Sequence, residues 1–185
     1  MPVNRLKPRN KAEPGLEIFT TRRLRIRTWQ DNDFASLHGL LSDPLTMSHW
    51  PEPLDEAASR AWLDRTISGM RDDGYCRWCC ERLADGRIIG DVGIVRMQLE
   101  GQWINDLGYI IAQQYWRQGY GFEAVEGAVK WAKSHRLGSL VANMATDNLP
   151  SVALAEKLGM TKLREFRKAN NQHKMTNWYE LHLEN

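Results

Sequence analysis

The sequence predicts a mixed α/β fold, a mostly antiparallel sheet of about six to seven strands flanked by helices. Three observations carry this prediction. Runs of β-branched and aromatic residues are separated by short turns at Asp85-Gly86 and Glu100-Gly101, the mark of neighbouring antiparallel strands. After Gly119-Tyr120-Gly121 the apolar residues change from alternation to a period of about 3.6 residues. The chain has 185 residues, 42% hydrophobic and 26% charged, which is the size of one domain with apolar material enough for a core.

Residues 1–18 carry Pro2, Pro8 and Pro14 among basic residues and read as a loosely ordered lead-in; residues 19–185 read as a single domain. From Arg23 to Thr28, Leu24 and Ile26 point one way and Arg23, Arg25 and Arg27 the other, predicting a half-buried strand with a solvated arginine face. Asp31 can cap a short helix bearing Phe34, Leu37 and Leu41, ended by Asp43-Pro44. A loop around His49, Trp50, Pro51 and Pro53 leads to a helix from about Asp55, with Leu63, Ile67 and Met70 on one face and a stop at Asp72-Asp73-Gly74. Three strands follow, Tyr75–Leu83, Arg87–Met97 and Trp103–Ile111. The helix opened by Gly119-Tyr120-Gly121 carries Phe122, Val125, Val129 and Ala132, and Gly138 follows its end. Leu140–Thr146 is the next strand, so strand, helix and strand form one right-handed parallel crossover. Asn148 caps a short helix that ends at Gly159, and strands near Lys162–Lys168 and Trp178–Leu183 close the chain.

Charge excludes several classes of function. Twenty-five Lys and Arg stand against 23 Asp and Glu, a net +2, which gives no argument for nucleic acid or an anionic membrane. No apolar run is long enough to cross a bilayer, and the basic N-terminus lacks the apolar core of a secretory signal. Cys76, Cys79 and Cys80 are odd in number and crowded together. Cys76 and Cys79 have the spacing of a zinc or redox pair, but no second pair completes a ligand set, and the five histidines are scattered. They read as small buried thiols of a strand in a reduced, cytoplasmic protein, with no metal site.

The densest chemical signal is Trp116-Arg117-Gln118-Gly119-Tyr120-Gly121-Phe122-Glu123-Ala124. A loop turning straight into a helix exposes backbone N–H groups at the positive end of the helix dipole, and glycines let a phosphate approach the main chain. Arg117 adds a cation. The expected ligand is a phosphate or pyrophosphate; an ordinary helix start with glycines for packing is the alternative. Gly119-x-Gly121-x-x-Ala124 also fits a dinucleotide fingerprint, with Asp147 as acidic partner, but that loop belongs on the first crossover of a doubly wound sheet. No Walker Gly-Lys-Ser/Thr is present.

Four segments in order resemble the GNAT superfamily of N-acetyltransferases. Thr21-Arg22-Arg23-Leu24-Arg25-Ile26-Arg27 is similar to that family's T-E-R-L-x-L-R entry strand. Leu107-Gly108-Tyr109-Ile110-Ile111 resembles its I-G-Y strand, and Trp116 to Ala124 its W-G-K-G-Y-A-T-E-A loop. Asn148-x-x-Ser151 with Glu156-Lys157-Leu158-Gly159-Met160 matches N-x-x-S…E-K-L-G-F. Within the superfamily the resemblance is to the branch that acetylates N-terminal amines of ribosomal proteins and also contains acetyltransferases of small amines. Two positions depart: the broader superfamily prefers Gln or Arg at Trp116, and the family's Asp-Pro before the loop is Ala112-Gln113, which bears on loop stiffness.

The resemblance implies the GNAT acyl-CoA N-acyltransferase fold and acetyl-CoA as cosubstrate. It implies a pyrophosphate held on the N–H groups of Arg117, Gln118, Gly119, Tyr120, Gly121 and Phe122. A pantetheine arm would pair with the backbone of Ile110 and Ile111 like an added strand and hydrogen-bond to Asn148, with an N–H near Ile110–Ile111 facing the thioester carbonyl. The attacking amine must lose a proton, and Asp106, two residues before Gly108-Tyr109, is the candidate base; a strand-edge carboxylate without catalytic duty is the alternative. Ser151 is either the proton donor to the departing sulfur or a capping or pantetheine-binding serine. The acceptor pocket is expected from the loop His49–Leu54 and the helix after it. Of eight Trp, Trp50 and Trp103 are the expected pocket-lining residues. The function expected is acetyl transfer to a primary amine, a peptide or protein N-terminus or a small molecule, by direct attack in a ternary complex. A non-catalytic acyl-CoA-binding module and an NAD-binding oxidoreductase are the alternatives. Partners are the amine acceptor, without nucleic acid or membrane, and the branch resemblance allows a homodimer.

Overall fold

The computed structural model describes residues 15–168 and 172–183. Its elements are β1 (Glu17–Thr20), β2 (Leu24–Arg27), α1 (Phe34–Leu41), α2 (Glu56–Asp72), β3 (Arg77–Arg82), β4 (Ile88–Leu99), β5 (Gln102–Ile111), α3 (Tyr120–Ser134), β6 (Ser139–Ala145), α4 (Leu149–Lys157), β7 (Thr161–Arg167) and β8 (Met175–His182). The strands form one sheet in the order β1-β2-β3-β4-β5-β6-β8-β7. Every neighbouring pair is antiparallel except β5–β6, joined in parallel through α3 as the period change predicts. Glu100 and Gly101 both have positive φ, 48° and 76°, the turn that closes a two-residue hairpin between Leu99 and Gln102.

Alternation along the strands sends side chains to two faces. On one, α3 lays Ala124, Val125, Ala128 and Ala132 against Trp78, Ile94 and Leu107. On the other, Leu37, Leu40 and Leu41 of α1 pack with Trp29, Cys79 and Ile110. The glycine loop opens a helix that follows the fifth strand of a mostly antiparallel sheet, so the dinucleotide alternative loses its required setting.

Three expectations change. Glu17 and Ile18, at the end of the expected lead-in, belong to β1, which pairs with β2; the Phe19 ring stands edge-on to Trp78 at 5.8 Å. Gly127 of α3 makes the space, since a Cβ there would lie 2.4 Å from the Phe19 ring. A four-residue strand has too little alternation to be read alone; residues 1–14 of the lead-in lie outside the described residues. Next, the arginine face of β2 is only partly solvated, the Arg25 side chain staying 42% exposed. Arg27 is 5% exposed and forked onto Asp33 at 2.7 and 3.0 Å, and Glu81 takes both Arg25 and Arg27. Alternation puts the arginines on one side, but only the fold brings carboxylates to it. Lastly, Asp31 opens a 3-10 turn, and Asp33 rather than Asp31 accepts the N–H of Gln30 at its start.

The three cysteines are buried and unpaired. Burial pushes the Cys76 thiol up to about 11 and those of Cys79 and Cys80 higher still, which keeps them as inert thiols.

Candidate active site

The site begins where the sheet opens. β5 pairs with β4 along its whole length, from Leu99↔Gln102 to Gly90↔Ile111, but with β6 only at Asp106↔Val141. Beyond that bridge the two strands part. The N–H of Ala112 donates to the Ile89 carbonyl at 2.9 Å, and hydrogen-bonded pairs alternate along an antiparallel ladder. Ile110 therefore turns its backbone groups to β4, while Tyr109 and Ile111 turn theirs to the opening. Of the expected pair Ile110 and Ile111, the backbone of Ile111 alone faces the opening, together with that of Tyr109. The Ile111 carbonyl already accepts the Trp116 indole N–H at 2.6 Å, which leaves its N–H.

The loop after β5 is fixed at several points. Gln113 donates its N–H to Thr46 Oγ1 at 3.1 Å, an anchor that a proline at this position could not supply. Arg117 has φ 57° and Gly119 φ 81°, and α3 starts at Tyr120. Arg23 reaches across to donate to the Gln118 carbonyl at 3.0 Å and stacks on the Tyr120 ring at 4.2 Å. Glu123, in the first turn of α3, accepts from Thr21 Oγ1, Arg23 N and Arg23 Nε at 2.6–2.7 Å. Burial alone would raise the Glu123 carboxyl, but these hydrogen bonds outweigh it and hold it below its ordinary value.

So tethered, the amides of Tyr120, Gly121 and Phe122 lack intrahelical acceptors and point out of the positive end of α3. A Cβ on Gly121 would stand 3.3 Å from the Tyr109 ring and 3.7 Å from Ile111, so the bare glycine lets the helix start abut the end of β5. Arg117 is exposed beside it. This cradle of amides, glycines and a cation fits a pyrophosphate, and the open backbone of β5 fits an extended arm leading away from it.

A cavity of about 520 Å³ occupies the opening and reaches both faces of the sheet. On the α4 side, Ser151 Oγ lies 3.1 Å from the Tyr109 hydroxyl. Asn148 caps α4, its side-chain oxygen accepting Ser151 N–H at 3.3 Å. Burial raises the Tyr109 phenol above its ordinary value, the Ser151 contact opposing, so the phenol keeps its proton. On the α2 side, Asp106 accepts from the Asn143 amide, whose oxygen accepts from Lys168 Nζ. Burial raises the Asp106 carboxyl; Lys168, Arg77 and the Asn143 hydrogen bond pull it back only in part. Burial lowers the Lys168 ammonium, with the Asp106 charge opposing.

Trp50 lines the cavity as expected, its ring 5.5 Å from Trp62. Trp103 does not. It sits at the far end of β5, 57% exposed and under Arg96 at 4.9 Å, beside a separate hollow of about 120 Å³. Proximity to the start of a strand could not tell which end of that strand opens. Asp106, Asn148, Ser151 and Trp50 are brought to one cavity, and Gly121 of the loop stands against its lining residues Tyr109 and Leu154. Sequence reasoning missed Tyr109, Trp62, Asn143 and Lys168. Tyr109 stood in the I-G-Y match without a role, and nothing local marks the other three.

The family model described as an acetyltransferase (GNAT) domain matches residues 23–161, three quarters of the chain. The chain belongs to the GNAT acetyltransferase family. The Bacillus subtilis protein YkkB is 32% identical over 154 residues, covering 82% of this chain and 90% of that protein. Among solved structures of the same fold, the ribosomal-protein-S5-alanine acetyltransferase of Vibrio fischeri is 17% identical with a TM-score of 0.74, over 90% of this chain and 97% of that one. The spermidine N-acetyltransferase of Vibrio cholerae, in complex with CoA and spermine, is 18% identical with a TM-score of 0.72, over 88% and 97%. As a GNAT member the protein is an N-acetyltransferase, of a family whose cosubstrate is CoA-based.

Proposed function

We propose that the protein transfers an acetyl group from acetyl-CoA to a primary amine, a peptide or protein N-terminus or a small molecule, by direct attack in a ternary complex. The observation that carries the proposal is the single cavity joining the two faces of the β5–β6 opening, with Ser151 and Tyr109 on one and Asp106 on the other. Acetyl-CoA supplies an activated acetyl thioester. The amides at the start of α3, with Arg117 and Gln118, hold its pyrophosphate. The backbone of Tyr109 and Ile111, with Asn148, orients the arm, and the Ile111 N–H supplies a fixed dipole for the carbonyl.

Asp106 takes the proton from the incoming ammonium, directly or through water. Its raised pKa moves it toward the neutral range where a base is most effective. Ser151 Oγ gives its proton to the departing sulfur and is reprotonated by the Tyr109 hydroxyl 3.1 Å away, which regains through water the proton that the attacking nitrogen sheds as the amide forms. The Ser151→Ala variant, assayed by thiol release against a panel of primary amines, should lose at least about tenfold in kcat while CoA affinity holds. An unchanged kcat would remove Ser151 from the mechanism, and CoA binding without thiol release from any amine would favour a binding module.

A further inference from the structure

The acceptor side of the cavity holds one buried donor without a partner and two cations with donor capacity to spare. Lys168 Nζ has one acceptor among the described residues, Asn143 Oδ1, and an ammonium offers further N–H groups. Trp62 Nε1 is buried and has no acceptor among them. Arg77 spends Nε and Nη2 on Asp91, at 2.9 and 3.2 Å, while its Nη1 lies over Gly108 of β5 with no acceptor among the described residues. Trp62, Arg77 and Lys168 all line the cavity. A buried donor left unpaired, as Trp62 Nε1 is, is costly, and Lys168 and Arg77 add donor capacity beside it, so the site suits a ligand that brings acceptors.

Charge points the same way. Arg65, Arg77, Arg96 and Lys168 line the cavity with Asp72, Asp73 and Asp106; Arg77 is already neutralised by the buried Asp91 and Arg96 stands 3.7 Å from Asp73, so the lining carries no surplus of carboxylates. A polycationic acceptor would need carboxylates in surplus. Asp106 is joined to Lys168 through one side-chain amide, that of Asn143, so a negative and a positive group lie side by side at the place where the amine must react.

We infer that the acceptor is a zwitterionic amino acid, its amine at Asp106 and its carboxylate on Lys168, with Arg77 and Trp62 contributing donors nearby. The Trp50–Trp62 pair suits an apolar or aromatic side chain. This rests on the acetyl-transfer reading and adds to it the class of acceptor. Lys168 is a specificity-determining residue here, recognising charge rather than moving the reacting proton.

The test is calorimetric binding to the CoA-loaded protein, with two matched pairs, L-phenylalanine with phenethylamine and L-leucine with isopentylamine, and with spermidine. Each pair differs by the carboxylate alone. At least one amino acid should bind about tenfold or more tightly than its amine, and spermidine more weakly than that amino acid. Lys168→Gln should erase the preference, and Lys168→Arg should keep it, which separates loss of the cation from loss of the fold. Equal binding within both pairs, tighter binding of spermidine, or a preference that survives in Lys168→Gln would overturn the inference. Thiol release is read separately. A preference without turnover would sink the transfer reading alone, and turnover without preference this inference alone.

Discussion

Gly108 is a glycine because Arg77 fills its side-chain space: a Cβ there would lie 2.1 Å from Arg77 Nη1. Arg77 cannot simply swing aside, being buried and bound to Asp91, which is itself fully buried and also accepts the Trp29 indole at 2.9 Å. Gly108→Ala should therefore destabilise by about 1–3 kcal/mol, read as a lower Tm, and a wild-type Tm would show that Arg77 has room to yield. Asp106 makes a second prediction at this scale. Its folded pKa is raised by burial, and it must be ionised to accept a proton. The rate should thus fall on the acid side at a pH above the ordinary aspartate range. Asp106→Asn should lower kcat by about a hundredfold or more and remove that limb from the profile. If the limb persists in the variant, another group is the base. The motif residues Ser151 and Asn148 were legible one by one because each is fixed by its neighbours in sequence. The partner of Ser151 was not, since Tyr109 lies 42 residues away.

The elements differ in how much of their role is local. α3 is legible from its glycines and its apolar period, and its start is where expected. What aims that start is Glu123, tied to Thr21 and Arg23 about a hundred positions earlier in the chain. The Glu123→Gln variant keeps the helix but loses the charged tether, and should cost about 1–3 kcal/mol and weaken CoA binding. The sign of the pH dependence follows from a carboxyl held below its ordinary value in the folded state. Its contribution is complete above the unfolded pKa and is lost as pH falls through the folded one. Urea melts of the two proteins should converge in acid, and a constant gap would show that the charge is not what holds the helix. β5 gives the contrasting case. Its pattern marks a strand, yet no pattern says that it leaves β6 after one bridge, and Trp103 and Ile110 were misplaced for that reason.

For the whole molecule, the cavity depends on a sheet whose two halves share one backbone bridge, Asp106↔Val141, backed by the cluster of Leu99, Ile104, Val141, Phe166 and Trp178 at the closed end and by α3 packing across the opening. A ligand lying between them should tie the halves together. At about 100 times Kd, acetyl-CoA or CoA should add about 2.7 kcal/mol, a Tm rise of roughly 5–10 °C for a chain of this size, while NAD should add nothing. A rise with NAD alone would contradict the assignment of the loop. No helix among the described residues is long and apolar enough to cross a membrane.

Sequence alone determined the class of fold, the hairpins, the parallel crossover, the glycine loop that opens α3 and the family. All of these rest on local pattern: side-chain period, turn residues, and motifs of a few consecutive positions. Tertiary structure alone decided the pairing of Arg23, Arg25 and Arg27 with Glu123, Glu81 and Asp33, the end at which the sheet opens, and the meeting of Asp106 with Asn143 and Lys168. The physical reason is the same for each. Alternation fixes which face a side chain takes, but its partner is set by strand order and by where two strands part, and both are properties of the closed sheet rather than of any segment.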